Sequence, residues 1–144
     1  MKHILLAFLL CMPACGARIK TNVSPVADIA NAGGKIEDSG QAIFKAVVAS
    51  NVPQTVKNDV ALAVNKLGHA GLTLNASLTA YNTAKAAGPN TAAEKLAVQQ
   101  ALATVQDFLT NINKALPPGT LQEVDSLVNV ILDAVAQVKL GVGL

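Results

Sequence analysis

Beyond Cys15 the chain has no cysteine, and Cys11 is the only other one. Most of the 144 residues can therefore hold neither a disulfide nor a metal site built from two thiolates. Tryptophan is absent, tyrosine occurs once and phenylalanine three times. Aromatic anchors for an interface and stacking platforms for bases are correspondingly scarce. Charge is scarce as well, at 14% of residues, against about 25% in ordinary soluble domains. Eleven basic and nine acidic side chains are scattered along the chain, with no basic stripe. That pattern argues against nucleic acid as a partner and against polybasic attraction to anionic lipid.

Hydrophobic residues supply 51% of the chain, and alanine, asparagine, threonine and glutamine fill the place of the missing charges. Alanine favours helix, and small side chains let helices approach closely. The length suits one domain with one modest core.

The start of the chain has its own grammar. Met1-Lys2-His3 is followed by the apolar run Ile4-Leu5-Leu6-Ala7-Phe8-Leu9-Leu10. This run falls well short of the about 20 residues that span a bilayer, and it suits the apolar region of an export signal. Met12-Pro13-Ala14-Cys15 then resembles the lipobox of bacterial prolipoproteins, in which an aliphatic residue and two small ones precede a lipid-modified cysteine. The resemblance implies a signal peptide over residues 1–14, cleavage after Ala14 and acylation of Cys15. Cys15 would then anchor the chain in a membrane of the cell envelope. With Gly16 rather than Asp after the cysteine, it implies the periplasmic face of the outer membrane in a Gram-negative cell. Residues 15–24 read as a tether with a reach of about 30 Å. The alternative is ordinary signal cleavage after Ala17, which would release a secreted or periplasmic soluble helical protein.

From residue 25 to 140 the pattern predicts an all-α domain, an antiparallel up-down four-helix bundle with a short tail over 141–144. The helices are expected at about 25–50, 53–87, 91–116 and 120–140. Ser24-Pro25, Asn51-Val52-Pro53, Gly88-Pro89-Asn90 and Pro117-Pro118-Gly119 punctuate them. Thr91 with Glu94 and Thr120 with Glu123 have capping-box spacing. Apolar stripes recur by three and four. They run from Val26 to Val47, from Val60 to Tyr81, from Val98 to Leu116 and from Leu121 to Val138. Phe44, Val48, Leu62, Leu72, Phe108, Leu127 and Leu132 are expected to widen the stripes. The second helix is much the longest, and Gly68 to Gly71 is where a kink would cost least.

Residues able to do chemistry are few. His69 is the sole histidine after the signal, and no nucleophile or carboxylate stands near it in sequence. A part-exposed helix position is the expectation, with Tyr81 as a packing residue whose hydroxyl finds a neighbour. Gly33-Gly34-Lys35 lacks the glycine and the Ser or Thr that a phosphate loop needs. Glu37 and Asp38 point about 100° apart on a helix and so cannot share a substrate. No catalytic, cofactor-binding or metal residue is assigned, and the chain is read as a non-enzyme. The expected mode of action is contact with a protein partner or self-association. The alternative is carriage of an apolar molecule or lipid inside the bundle, in space left by Gly33, Gly40 and Gly71.

Overall fold

A computed structural model describes residues 29–144. The expected signal, Cys15, the expected tether, Ser24-Pro25 and Val26 lie outside the described residues. The described part is a helical bundle of four helices, with no strand among the described residues. They are α1 (Ala32–Ala49), α2 (Gln54–Ala87), α3 (Ala92–Ala115) and α4 (Gln122–Val142). Ile29 and Ala30 add a helical turn before Asn31.

The breaks fall where backbone chemistry demands them. Ser50 is extended, its hydroxyl donates to the Val47 carbonyl at 2.7 Å, and Pro53 opens α2. The Lys57 ammonium donates to the Val48 carbonyl at 2.8 Å, satisfying an acceptor that α1 leaves free at its end. Between α3 and α4 the Thr120 N–H donates to the Pro117 carbonyl at 3.1 Å. That closes a turn with Pro118 second and Gly119 third, and Gly119 has φ +87°. Only a positive φ completes such a turn, hence glycine. Gly143, with φ +72°, ends α4 by donating to the Lys139 carbonyl at 2.9 Å.

Two details of the boundaries differ from expectation. Neither capping box forms: Thr91 makes no side-chain cap bond, and α4 is preceded by Leu121 rather than Thr120. The Thr120 hydroxyl turns back to the Pro117 carbonyl at 2.6 Å. Asp125 accepts the Gly119 N–H at 2.8 Å instead. The tight turn claims Thr120 before the helix can. The fourth helix also runs to Val142, so the tail is two residues, not four.

The stripes become the core. From Ile29 to Val47, Val60 to Tyr81 and Val98 to Leu116, every described stripe residue is buried; on α4, Leu121 and Val128 are half-buried and the rest buried. Phe108 is buried too, and Phe44 and Leu127 are partly so. Val48, Leu62, Leu72 and Leu132 do not widen the core; they are exposed. Leu72 shows the reason: one residue past Gly71, it points about 100° away from the seam.

Helix α1 packs against both α2 and α4, and α2 packs against α3, whereas α3 and α4 come close at few points. Glycine sets the spacing of α1 and α2. A methyl on Gly40 would sit 2.5 Å from Leu67 Cδ2, and one on Gly71 would sit 3.2 Å from the Gly33 carbonyl oxygen. One on Gly33 would collide with the Asn75 amide. Gly33 thus faces Gly71 and Asn75 while Gly40 faces Val64 and Leu67, so α1 and α2 run in opposite directions. At one pole Ile29 fills the space over Gly141, Tyr81 donates to the Val142 carbonyl at 3.4 Å, and Lys95 approaches Gly143.

Among the described residues the Asn75 Oδ1 is buried without a hydrogen-bond partner, pressed on Gly33. An orphaned buried acceptor costs about 1–3 kcal/mol. Asn75→Ala removes it and improves helix propensity, so the variant is expected to gain about 1 kcal/mol. Gly33→Ala should be tolerated only in that background, because only then is the amide gone. Urea unfolding of both single variants and the double variant checks this, and additive effects would contradict it.

Candidate functional site

The glycines expected to leave a cavity leave none. Leu67 lies over Gly40, Asn75 over Gly33, and the Gly33 carbonyl and Glu37 over Gly71. They permit close helix approach, which removes the observation that motivated an internal carrier. On Gly68, by contrast, a Cβ would meet nothing within 4 Å, so the close helix contact at this place belongs to Gly71 and Gly33.

Concavity lies on the outside, between α2 and α3. Three recesses follow one another along this pair of helices. The first holds Lys66, His69, Thr73, Ser77, Gln100 and Thr104 over the small floor residues Ala70, Ala97 and Ala101, and its volume is ≈ 450 Å³. The next two share Ala63, Lys66, Asn111 and Lys114, with Asp107 and Phe108 on one side and Asp59 and Leu62 on the other. Together they form one groove from Ser77 to Asp59. Its floor comes from the sequence directly. Ala63, Ala70 and Ser77 recur every seven residues on the α2 flank that faces α3, where short side chains cannot fill the space above the seam. Large residues below it, Leu67, Leu74, Leu102 and Val105 among them, are fully or almost fully buried.

The rim is mixed in sign. Asp59 and Lys66 stand on α2, Asp107 and Lys114 on α3, all exposed. Leu62 stands on the same rim with 60% of its surface exposed. The neighbouring hydroxyls are inwardly committed: Thr73, Thr104 and Thr110 each donate to the carbonyl four residues earlier. Thr79 and Thr83 do the same on the outer side of α2. Their donors are spent within the helix, so the surface offers water less than its composition suggests.

His69 is exposed and lines the first recess, in which no carboxylate takes part. Its carbonyl accepts from Thr73 at 2.9 Å, a bond internal to the helix. Among the described residues no three His, Cys, Asp or Glu side chains gather as a metal site. Asp38 is exposed and Glu37 backs onto Gly71, so the acidic pair is divided between solvent and a helix contact. Gly33-Gly34-Lys35 is helical, not a loop. Tyr81 is buried, with its hydroxyl on Val142 and Lys85 Nζ 5.8 Å from the ring centroid. No helix among the described residues is long and apolar enough to cross a membrane.

The groove was not singled out by motif reading, because none of its residues belongs to a catalytic pattern. A signal did exist: an Asp–Lys pair seven apart occurs on both helices, Asp59 with Lys66 and Asp107 with Lys114. No family model matches the chain, and neither a curated protein nor a solved structure matches it.

Proposed function

We propose that this chain is an exported lipoprotein of the bacterial envelope, anchored through Cys15, whose helical bundle acts by protein contact and not by catalysis. The observation that carries the contact reading is the α2–α3 groove: a small-residue floor, a charged rim and Leu62 60% exposed beside it. A concave strip with a small-residue floor and a charged rim is a surface that a protein partner can cover. An up-down-up-down path accords with the pole at which the starts of α1 and α3 meet the ends of α2 and α4. The anchor rests on the apolar run, the lipobox resemblance and the absence of any later cysteine to pair with Cys15.

Two measurements test it. Intact mass of membrane-extracted protein should match the chain from Cys15 onward plus acyl groups, and Cys15→Ser should abolish that mass and leave the precursor unprocessed. A soluble product starting at Arg18 would reject the anchor in favour of cleavage after Ala17. Photo-crosslinking from position 62 in cells should capture protein, whereas position 72, exposed on the other flank of α2, should not. No capture from position 62 would reject the contact reading.

A further inference from the structure

The groove is electrically self-complementary. Midway between Asp59 and Lys66 lie Leu62 and Ala63; midway between Asp107 and Lys114 lie Thr110 and Asn111. Ala63 and Asn111 line the same recesses, so both midpoints stand at one level across the groove. The four charges form a checkerboard: Asp59 beside Lys114 at one level, Lys66 beside Asp107 about 10.5 Å along the helices.

Resting on the protein-contact reading, we propose that the occupant of this groove is a second copy of the chain. The two copies are related by a two-fold axis that crosses the groove at Ala63 and Asn111, perpendicular to the helices. An isologous contact needs a patch that matches itself after such a rotation. Here the rotation lays Asp59 over Lys66 of the second copy and Asp107 over Lys114, each pair occurring twice. The same operation seats Leu62 against the short Ala63 of the second copy, and Thr110 against Asn111. A checkerboard also matches itself about an axis parallel to the helices, which would bring Asp59 to Lys114 instead. That arrangement sets Leu62 over the polar Asn111 and Lys114, and so leaves the exposed leucine without an apolar seat. Opposite charges at matched positions set orientation more than affinity, and they are screened within about 8 Å at physiological salt.

The test uses the membrane-extracted chain, prepared as an equal mixture of isotopically light and heavy protein and treated with a zero-length carbodiimide. The expected products are mixed-isotope peptides joining Asp59 to Lys66 and Asp107 to Lys114. Asp59→Lys should weaken association on the order of tenfold, since symmetry counts each lost pair twice. Asp59→Lys with Lys66→Asp should restore it, because the exchanged charges still oppose each other across this axis. Only same-isotope products overturn the proposal. Mixed-isotope Asp59–Lys114 products, with no rescue by the exchanged pair, overturn the axis and with it the proposal. A different protein captured at position 62 without mixed-isotope products also overturns it, while leaving the contact reading in place. No capture of any kind rejects both.

Discussion

Gly71→Leu is expected to cost the bundle about 3 kcal/mol or to prevent folding, while Gly68→Ala, three residues earlier on the same helix, is expected to stabilise it by about 1 kcal/mol. Both glycines weaken α2 by similar propensity, so the difference isolates tertiary contact. A Cβ at Gly71 lies 3.2 Å from the Gly33 carbonyl oxygen and 3.5 Å from Glu37 Cβ. The first of these is backbone, which cannot rotate away. A leucine there must push α1 from α2, and the loss spreads to Ile36, Ile43, Leu67 and Leu74, all fully buried. At Gly68 a Cβ meets nothing within 4 Å. There the gain is the ordinary one of alanine over glycine in a helix. Urea unfolding followed by far-ultraviolet circular dichroism checks the pair. Equal effects at the two positions would mean that close approach of α1 and α2 is not what Gly71 provides.

Leu67→Ala is the second large effect. Leu67 is fully buried, and its Cδ2 occupies the space that a side chain on Gly40 would take. Truncation removes packed methyl groups and leaves a cavity, at a cost of about 2–5 kcal/mol. Leu62→Ala, five residues away but 60% exposed, should shift stability by less than about 0.5 kcal/mol. The sharper part concerns Gly40. Gly40→Ala alone should destabilise, because its methyl would stand 2.5 Å from Leu67 Cδ2, and Leu67 is fully buried, so its side chain can shift only by displacing packed neighbours. In the Leu67→Ala background the same methyl fills part of the void and adds helix propensity. It should then recover about 1–2 kcal/mol. A change of sign between backgrounds is the diagnostic, read from a double-mutant cycle.

The two effects bear on how much of the fold was legible. The helix breaks at Asn51-Val52-Pro53, Gly88-Pro89 and Pro117-Pro118-Gly119 were readable because proline and glycine act on their own backbone. The buried stripes were readable because a 3-4 spacing puts residues on one face whatever lies opposite. The capping boxes misled in detail. Thr120 had two local partners within reach, and the Pro117 carbonyl won. The width of the stripes misled as well, because Leu62 and Leu72 are apolar yet stand outside the angle that α1 and α3 cover.

The glycines mark the limit most clearly. In sequence, Gly33, Gly40 and Gly71 read as space for an apolar ligand, although small residues also let helices approach closely. The choice depended on which side chain crossed from the neighbouring helix, and Asn75 and Leu67 are more than 25 residues away along the chain. The groove was invisible for the same reason. Asp59 and Lys66 read as solvated charges on one helix, and Asp107 and Lys114 as solvated charges on another. Only the pairing of α2 with α3 puts their midpoints at one level.

Alone, the sequence determined the helical class, the four segments and their seams. Each of these follows from neighbours within one or two turns of chain. Tertiary structure decided that α1 is flanked by α2 and α4, that the core glycines bring helices together, and that the open surface is a charged groove. Those depend on residues far apart in the chain, whose approach is set by the size of side chains on both helices at once.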